Sequence, residues 1–273
     1  MSAARRGEAP SLPFDVALGS FAGASGLSRV PVTIEIPARE VTFKESNESR
    51  VASLIMVGLL RGEDGSVVTR VGAPVSVRAT VEEVKAMEKG GLSFTNTIDV
   101  VPGRYSFEAF VRDQNSGRGS TRDYSLTVPA LGDNLTSSSI VLSSEVRPLE
   151  GATGDDCLAF GRVQVLPSAR RQFRNGDSLV FLFDVYNARL SAQNRASLEV
   201  RVTLQRSGTD RGVRLPIYRI EESELNPVPR VPVARYVTLS NMSPGRYFFV
   251  AEIEDLETRQ IHSSRTSFEI VPY

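Results

Sequence analysis

The one histidine in the chain, His262, lies in Gln260-Ile261-His262-Ser263 with Ser264 following. A histidine serves as a general base toward a serine when the hydroxyl is in hydrogen-bond reach and an acid orients the ring. Neighbours on an extended segment point to opposite faces, so on a strand His262 and Ser263 do not form that pair. An ordinary surface or loop histidine is the expectation. The one cysteine, Cys157, follows Asp155 and Asp156. A nucleophilic thiolate needs an electropositive neighbour, and two nearby carboxylates would raise the thiol pKa instead. The sequence therefore predicts a buried structural cysteine.

Metal chemistry finds as little support. A zinc site needs several His or Cys ligands, and the chain has one of each. Calcium needs clustered oxygens. Glu221, Glu222 and Glu224, and the pair Asp155-Asp156, supply carboxylates without the spacing of a calcium loop, so they read as solvated acidic turns. No Gly-x-x-x-x-Gly-Lys or Gly-x-Gly-x-x-Gly follows a strand. The expectation is a protein that is not an enzyme, with no catalytic, cofactor-binding or metal site and no cofactor.

Charge limits the partners. There are 32 basic and 32 acidic residues, for a formal net charge of zero, so no global field draws in nucleic acid or anionic membrane. The local clusters, Arg5-Arg6 and Arg170-Arg171 with Arg174, are short and lack interleaved aromatics. Nucleic-acid binding is not expected. The matched Arg104 and Arg246 are expected to pair with acids across the sheet, such as Glu108 and Glu252. No run of about 18 apolar residues occurs, so no membrane insertion is expected. The stretch from Met1 to Glu8 has a basic pair but no apolar core after it, unlike a secretory signal. One cysteine allows no intrachain disulfide and leaves the compartment open.

The elements that would carry any such residues are β-strands. Val30-Pro31-Val32-Thr33-Ile34-Glu35-Ile36 alternates apolar and polar residues and is a candidate edge strand, with Pro31 guarding it against unwanted pairing. Val51 to Leu60 is a longer apolar run that ends at a hairpin signal, Asp64-Gly65. Thr80-Val81-Glu82-Glu83 has capping-box spacing and Gly90-Gly91 a stop, which predicts one short helix at about 80–89.

An internal repeat organises the rest. Pro102-Gly103-Arg104-Tyr105 returns as Pro244-Gly245-Arg246-Tyr247, an offset of 244 − 102 = 142. The same offset carries Phe94 to Tyr236, Phe107 to Phe249, Ala109 to Ala251, Val111 to Ile253, Asp113 to Asp255, Leu126 to Phe268 and Val128 to Ile270. Tyr105, Phe107, Ala109 and Val111 are expected on the buried face of one strand, with Tyr247, Phe249, Ala251 and Ile253 on its counterpart. In the second copy, prolines at 227, 229 and 232 stand where the first has its helix, and they rule out a matching one.

The tyrosine after Pro-Gly resembles the tyrosine corner of immunoglobulin and fibronectin type III domains. The chain has no Trp, and Phe107 and Phe249 stand where a second disulfide cysteine would, so the resemblance is to the disulfide-free relatives. The expected fold is all-β, two tandem immunoglobulin/fibronectin type III-like β-sandwiches. The expected boundaries are an N-terminal tail at 1–11, a first sandwich at 12–142, a linker at 143–156 and a second sandwich at 157–273.

The combined pattern is similar to the C-terminal region of the von Willebrand factor A-related proteins of Acidobacteria. It is carried by Val30–Pro37, the helix before Gly91-Leu92, Pro102–Tyr105 with Val111-Arg112-Asp113 and Ser116-Gly117-Arg118, Ser139–Leu142, and Phe173–Asp177 followed by Val185-Tyr186-Asn187. Ala4-Arg5-Arg6-Gly7 resembles the stretch that ends the A domain in such proteins. No Asp-x-Ser-x-Ser metal-adhesion motif occurs, so the A domain is absent and its adhesion does not carry over. The resemblance implies an extracytoplasmic setting and a chain that is a fragment or a shortened relative.

The expected function is a non-catalytic protein-interaction or structural spacer module with an unidentified protein partner. The alternatives are a carbohydrate-binding module, which normally uses exposed aromatic rings, and an accessory domain that docks a partner by an edge strand. Loops 113–121 and 255–263 occupy equivalent places in the two copies and are the first candidates for a binding surface.

Overall fold

The computed structural model describes residues 11–47, 49–87, 90–149, 156–209, 211–225 and 228–272. The described chain is almost wholly β. The first strands are β1 (Asp15–Leu18), β2 (Phe21–Ala22), β3 (Ser28–Pro37), β4 (Lys44–Ser46), β5 (Ser49–Gly62) and β6 (Val67–Ala79). After the helix α1 (Val81–Met87) come β7 (Gly91–Val100), β8 (Gly103–Asp113), β9 (Gly119–Val128), β10 (Thr136–Ser137), β11 (Val141–Ser143) and β12 (Glu145–Pro148). There follow β13 (Ala159–Phe160), β14 (Val163–Leu166), β15 (Gln172–Arg174), β16 (Ser178–Tyr186) and β17 (Leu198–Arg206). The last are β18 (Gly212–Arg214), β19 (Tyr218–Ile220), β20 (Val231–Thr238), β21 (Gly245–Asp255) and β22 (Ile261–Val271).

The chain divides into two compact units. One holds Met1–Ala17, Val32–Ile98 and Gly103–Val128; the other holds Leu18–Pro31, Asp99–Pro102 and Pro129–Tyr273. This corrects the expected boundaries at 142 and 157. Residues 129–142 belong to the second unit because Leu135, Ile140 and Leu142 are buried in its core and β10 and β11 both pair with β16. The expected linker at 143–156 is also partly strand: β12 pairs with β14 from Glu145↔Leu166 to Pro148↔Val163. The remainder of that linker, 150–155, lies outside the described residues, as does the tail at 1–10.

In the first unit, β5 is the middle of a five-stranded sheet, with β6 on one side and β4 and β8 on the other, and β9 beyond β8. Ala52, Leu54, Met56 and Leu60 of β5 are buried while their odd-numbered neighbours are half-exposed. Phe107, Ala109 and Val111 of β8 are fully buried as the alternation predicts, whereas Tyr105 is only half-buried. A second sheet contributes Val32, Ile34 and Ile36 of β3, each 0% exposed. β3 is not an edge strand: β1, β2 and β7 all hydrogen-bond to it. The helix begins as its sequence predicts. The Glu83 amide donates to Thr80 Oγ1 at 3.2 Å, and the Thr80 amide donates to the Glu83 carboxylate at 2.7 Å.

The second unit has three layers. Its central sheet joins β10 and β11 to β16, with β20 beyond. A six-stranded sheet, built on β22, β21 and β17, covers one face, and the small β12-β14-β13 sheet covers the other. Phe181, Phe183 and Val185 of β16 enter the main core with Val200, Val202, Phe249 and Ile253. Val180 and Leu182 point the opposite way, against Val165, Leu158 and Cys157. The Phe181 and Phe249 rings meet across the two larger sheets at 4.8 Å between centroids.

The repeat is realised in the pairing. β21 starts and ends 142 residues after β8, and β22 starts 142 residues after β9. Their common neighbour matches too: Leu60 faces Phe107 and Leu204 faces Phe249, an offset of 204 − 60 = 144. Within this shared frame one position differs sharply. Gly58 faces Ala109 in the first copy, and Val202 faces Ala251 in the second. A Cβ at Gly58 would lie 2.1 Å from Phe107 Cζ, so the Phe107 ring lies in the space that a side chain at 58 would take. Overpacking a filled core costs about 1–3 kcal/mol. Gly58→Ala should lower the unfolding free energy of the first unit by about that amount in urea titration; an unchanged midpoint would contradict the ring placement.

Candidate functional site

The residues singled out for chemistry are dispersed. His262, on β22, is half-buried, and its Nε2 lies 3.2 Å from Ser137 Oγ. Burial pushes its pKa down, favouring the neutral ring. Among the described residues no carboxylate bonds that ring. Ser263 and Ser264 pair along the ladder with Glu252 and Ala251. Cys157 is buried among Leu158, Val165 and Leu182, as expected of a structural cysteine. The nearby Asp156 carboxylate accepts the Leu158 amide at 2.9 Å and also a bond from Gln164. Asp155 is outside the described residues.

The acidic run is divided between partners rather than gathered. Glu221 pairs with Arg195, and Glu224 lies 2.6 Å from Arg230. No group of three His, Cys, Asp or Glu able to hold a metal occurs among the described residues. Arg171 donates to Thr266 Oγ1 at 2.9 Å and Arg170 to Gln172 at 2.8 Å; Arg5 and Arg6 are outside the described residues. The expected pairing of Arg246 with Glu252 is not found. Arg201 lies directly opposite Glu252 in the ladder and takes it at 3.0 Å, together with Glu199 and Glu254. Arg246 sits six residues back along Glu252's own strand, out of reach.

The two candidate loops are held from inside by an aspartate that the repeat carries in both copies. Asp113 and Asp255 are both 0% exposed. Asp113 Oδ1 accepts the Asn115 amide at 2.8 Å, and its Oδ2 accepts the Thr42 amide at 3.0 Å and the Ser116 hydroxyl at 2.7 Å. Asp255 Oδ1 accepts the Glu257 amide at 2.9 Å, and its Oδ2 accepts the Arg189 amide at 2.7 Å. Each turn closes on a left-handed residue, Gly117 at φ 79° and Arg259 at φ 62°. Each carboxylate thus staples a loop to a distant backbone amide. Burial alone would raise the Asp113 pKa, but the bonds from Ser116, Thr42 and Asn115 outweigh it and hold the group below the usual carboxylate value. Asn115 and Gln260 add to this anchoring: Asn115 Nδ2 donates to Thr42 O and Val51 O at 2.8 Å, and Gln260 Oε1 accepts the Leu135 amide at 2.9 Å.

Two features remain open. The first is strand β6, 13 residues long and, among the described residues, paired only with β5. Pro74 faces Ile55 in the middle of the pair. Proline has no N–H, so it is tolerated where the backbone points away from the neighbouring strand. By alternation Arg70, Gly72, Ser76 and Arg78 present their backbone groups outward as well.

The second is a cavity of about 400 Å³ whose lining residues all belong to the second unit. Leu27, Leu131 and Val228 supply apolar surface beside the buried Phe21, and Thr136 adds a hydroxyl. Its floor includes Tyr186, whose oxygen accepts the Ala22 amide at 2.9 Å and whose hydroxyl donates weakly to Asp184 at 3.3 Å. Asp184 is 1% exposed and Arg230 donates to its Oδ2 at 2.9 Å. Asp184 Oδ1 is buried without a hydrogen-bond partner among the described residues. Burial, and then the Asp184 carboxylate, push the Tyr186 phenol well above its usual pKa. The tyrosine is therefore neutral at any physiological pH. No local motif marks this cavity, because its walls come from stretches near residues 20–28, 102, 129–138, 186 and 228.

No family model matches the chain. No curated protein matches it. Among solved structures the chain is similar to trypsin-activated alpha-2-macroglobulin from Escherichia coli, at 12% identity and a TM-score of 0.26. That match covers 97% of this chain and 16% of the other.

The aspartate staple makes a prediction with a definite sign in pH. A folded-state pKa below the unfolded value of 3.8 stabilises the fold above that value and loses its contribution as pH falls through the folded pKa. Asp113→Ala leaves at least two amides without an acceptor, at about 1–3 kcal/mol each. It should lower the melting temperature at pH 7 by more than at pH 3, which lies below the unfolded value. An equal loss at both pH values would show that the carboxylate charge has no part in the staple.

Proposed function

We propose that this chain is a non-catalytic, extracytoplasmic protein-interaction module on two immunoglobulin-like sandwiches, and that it takes up its partner by strand addition along β6. The observation that carries the reading is the edge of β6: 13 residues paired on one side only among the described residues. An unpaired row of backbone groups is a template for an incoming strand. Arg70 and Arg78 lie on this strand and no acid does, so the edge favours an extended acidic segment over a second copy of itself. The immunoglobulin-like assignment is supported by the Tyr247 hydroxyl, which donates to the Ser243 carbonyl at 2.9 Å in the manner of a tyrosine corner. The extracytoplasmic setting rests on the resemblance to von Willebrand factor A-related proteins.

The test uses a short synthetic peptide of alternating valine and threonine carrying two glutamates. Binding to the full chain is expected to saturate and to weaken as salt rises. Ser76→Pro removes an outward N–H without touching the β5 ladder, so it should abolish binding while the melting temperature stays near wild type. Arg70→Glu should weaken binding. Peptide binding that survives Ser76→Pro, or no saturable binding at all, would overturn the proposal.

A further inference from the structure

We infer that the second unit carries a binding site for a small, uncharged, mostly apolar molecule in the cavity floored by Tyr186. The site is independent of the β6 edge, which lies in the other unit.

Size comes first. A volume of about 400 Å³ is within the range of sites that enclose a ligand of one or two rings. Charge comes next. Among the described residues that line the cavity, none is Asp, Glu, Lys, Arg or His, and the one titratable group is the Tyr186 phenol. That phenol is held neutral by burial and by Asp184. A charged ligand would give up its hydration and meet no counter-charge, whereas an apolar one loses nothing on leaving water.

The walls are set before any ligand arrives. Pro102 and Pro129 fix their own backbone on one side. On another, the turn after β2 is closed by the Gly23 amide donating to Leu27 O at 2.9 Å and the Leu27 amide donating to Ala24 O at 3.1 Å. The Ser20 amide donates to Ser139 Oγ at 2.9 Å, and the Ala22 amide holds the Tyr186 oxygen. Binding therefore orders little that is not already ordered, which favours affinity. Thr136 in the lining brings a hydroxyl that can orient such a ligand, while Leu27, Leu131 and Val228 give the apolar contact.

The experiment titrates the full chain with prodan, a neutral naphthalene ketone whose emission shifts to the blue in apolar surroundings. A saturable blue-shifted signal is expected. Leu131→Glu sets a carboxylate in the lining and Ala130→Trp fills the mouth. Both positions are exposed, so both variants should fold and melt like wild type. Each should weaken prodan binding at least tenfold, and an anionic naphthalene sulfonate should bind the wild type at least tenfold more weakly than prodan. Three results would each overturn the inference: no saturable shift, equal prodan affinity in wild type and both variants, or equal affinity for the neutral and anionic probes.

Discussion

Strand β16 has no side that faces water, and a strand in that position needs an apolar layer on both flanks. The sequence from Leu179 to Tyr186 is nearly continuous in large apolar residues, and every one of them is buried. The six-stranded sheet takes the face that carries Phe181 and Phe183; the small sheet takes the face that carries Val180 and Leu182. Much else in the second unit follows from that demand. Residues 145–148 must be strand rather than tether, Cys157 must be apolar filling, and Phe21, far away in sequence, must come to the same cluster. Where the second flank runs out of apolar cover, the strand carries Asp184 and Tyr186 instead. A buried carboxylate costs several kcal/mol unless it is paired, and Arg230 supplies the pairing.

The two copies of the repeat share a frame and differ in its filling. Pairing register, the buried aspartate and the left-handed closing residue recur in both. The core beneath does not. Gly58 leaves room for the Phe107 ring in one copy; in the other, Val202 takes that volume and Phe249 leans on Phe181. Cores tolerate such exchange when total volume is kept, while a buried staple has no equivalent substitute.

The β-hairpins of both copies were legible because their signal is local: Pro-Gly marks the turn and alternation marks the face. The strand next to them is legible as an apolar run from Val51 to Leu60 but not as part of the repeat, because its offset is 144 rather than 142 and an ungapped match ends before it. β12 was misread because Glu145, Arg147 and Pro148 look like a loop, and only Val146 hints at strand. β3 was misread as an edge because its polar positions look solvated, yet Thr33 is 1% exposed and its hydroxyl bonds Thr95 at 2.9 Å. The roles of Asp113 and Asp255 depend on amides at Thr42 and Arg189, and the cavity on separate stretches of chain. Neither leaves a pattern in adjacent residues.

The two copies of the repeat differ in the edge they present beside their shared frame. In the first copy the outermost partner of the central pair is β6, an unbroken 13 residues. In the second that place is filled by β18 and β19, three residues each, with Leu215 to Ile217 between them. A duplicated module with two long open edges could link to others at both ends and grow into fibres, since unclosed contacts propagate. Breaking the second into two three-residue strands removes the matched pair of edges through which such copies would propagate.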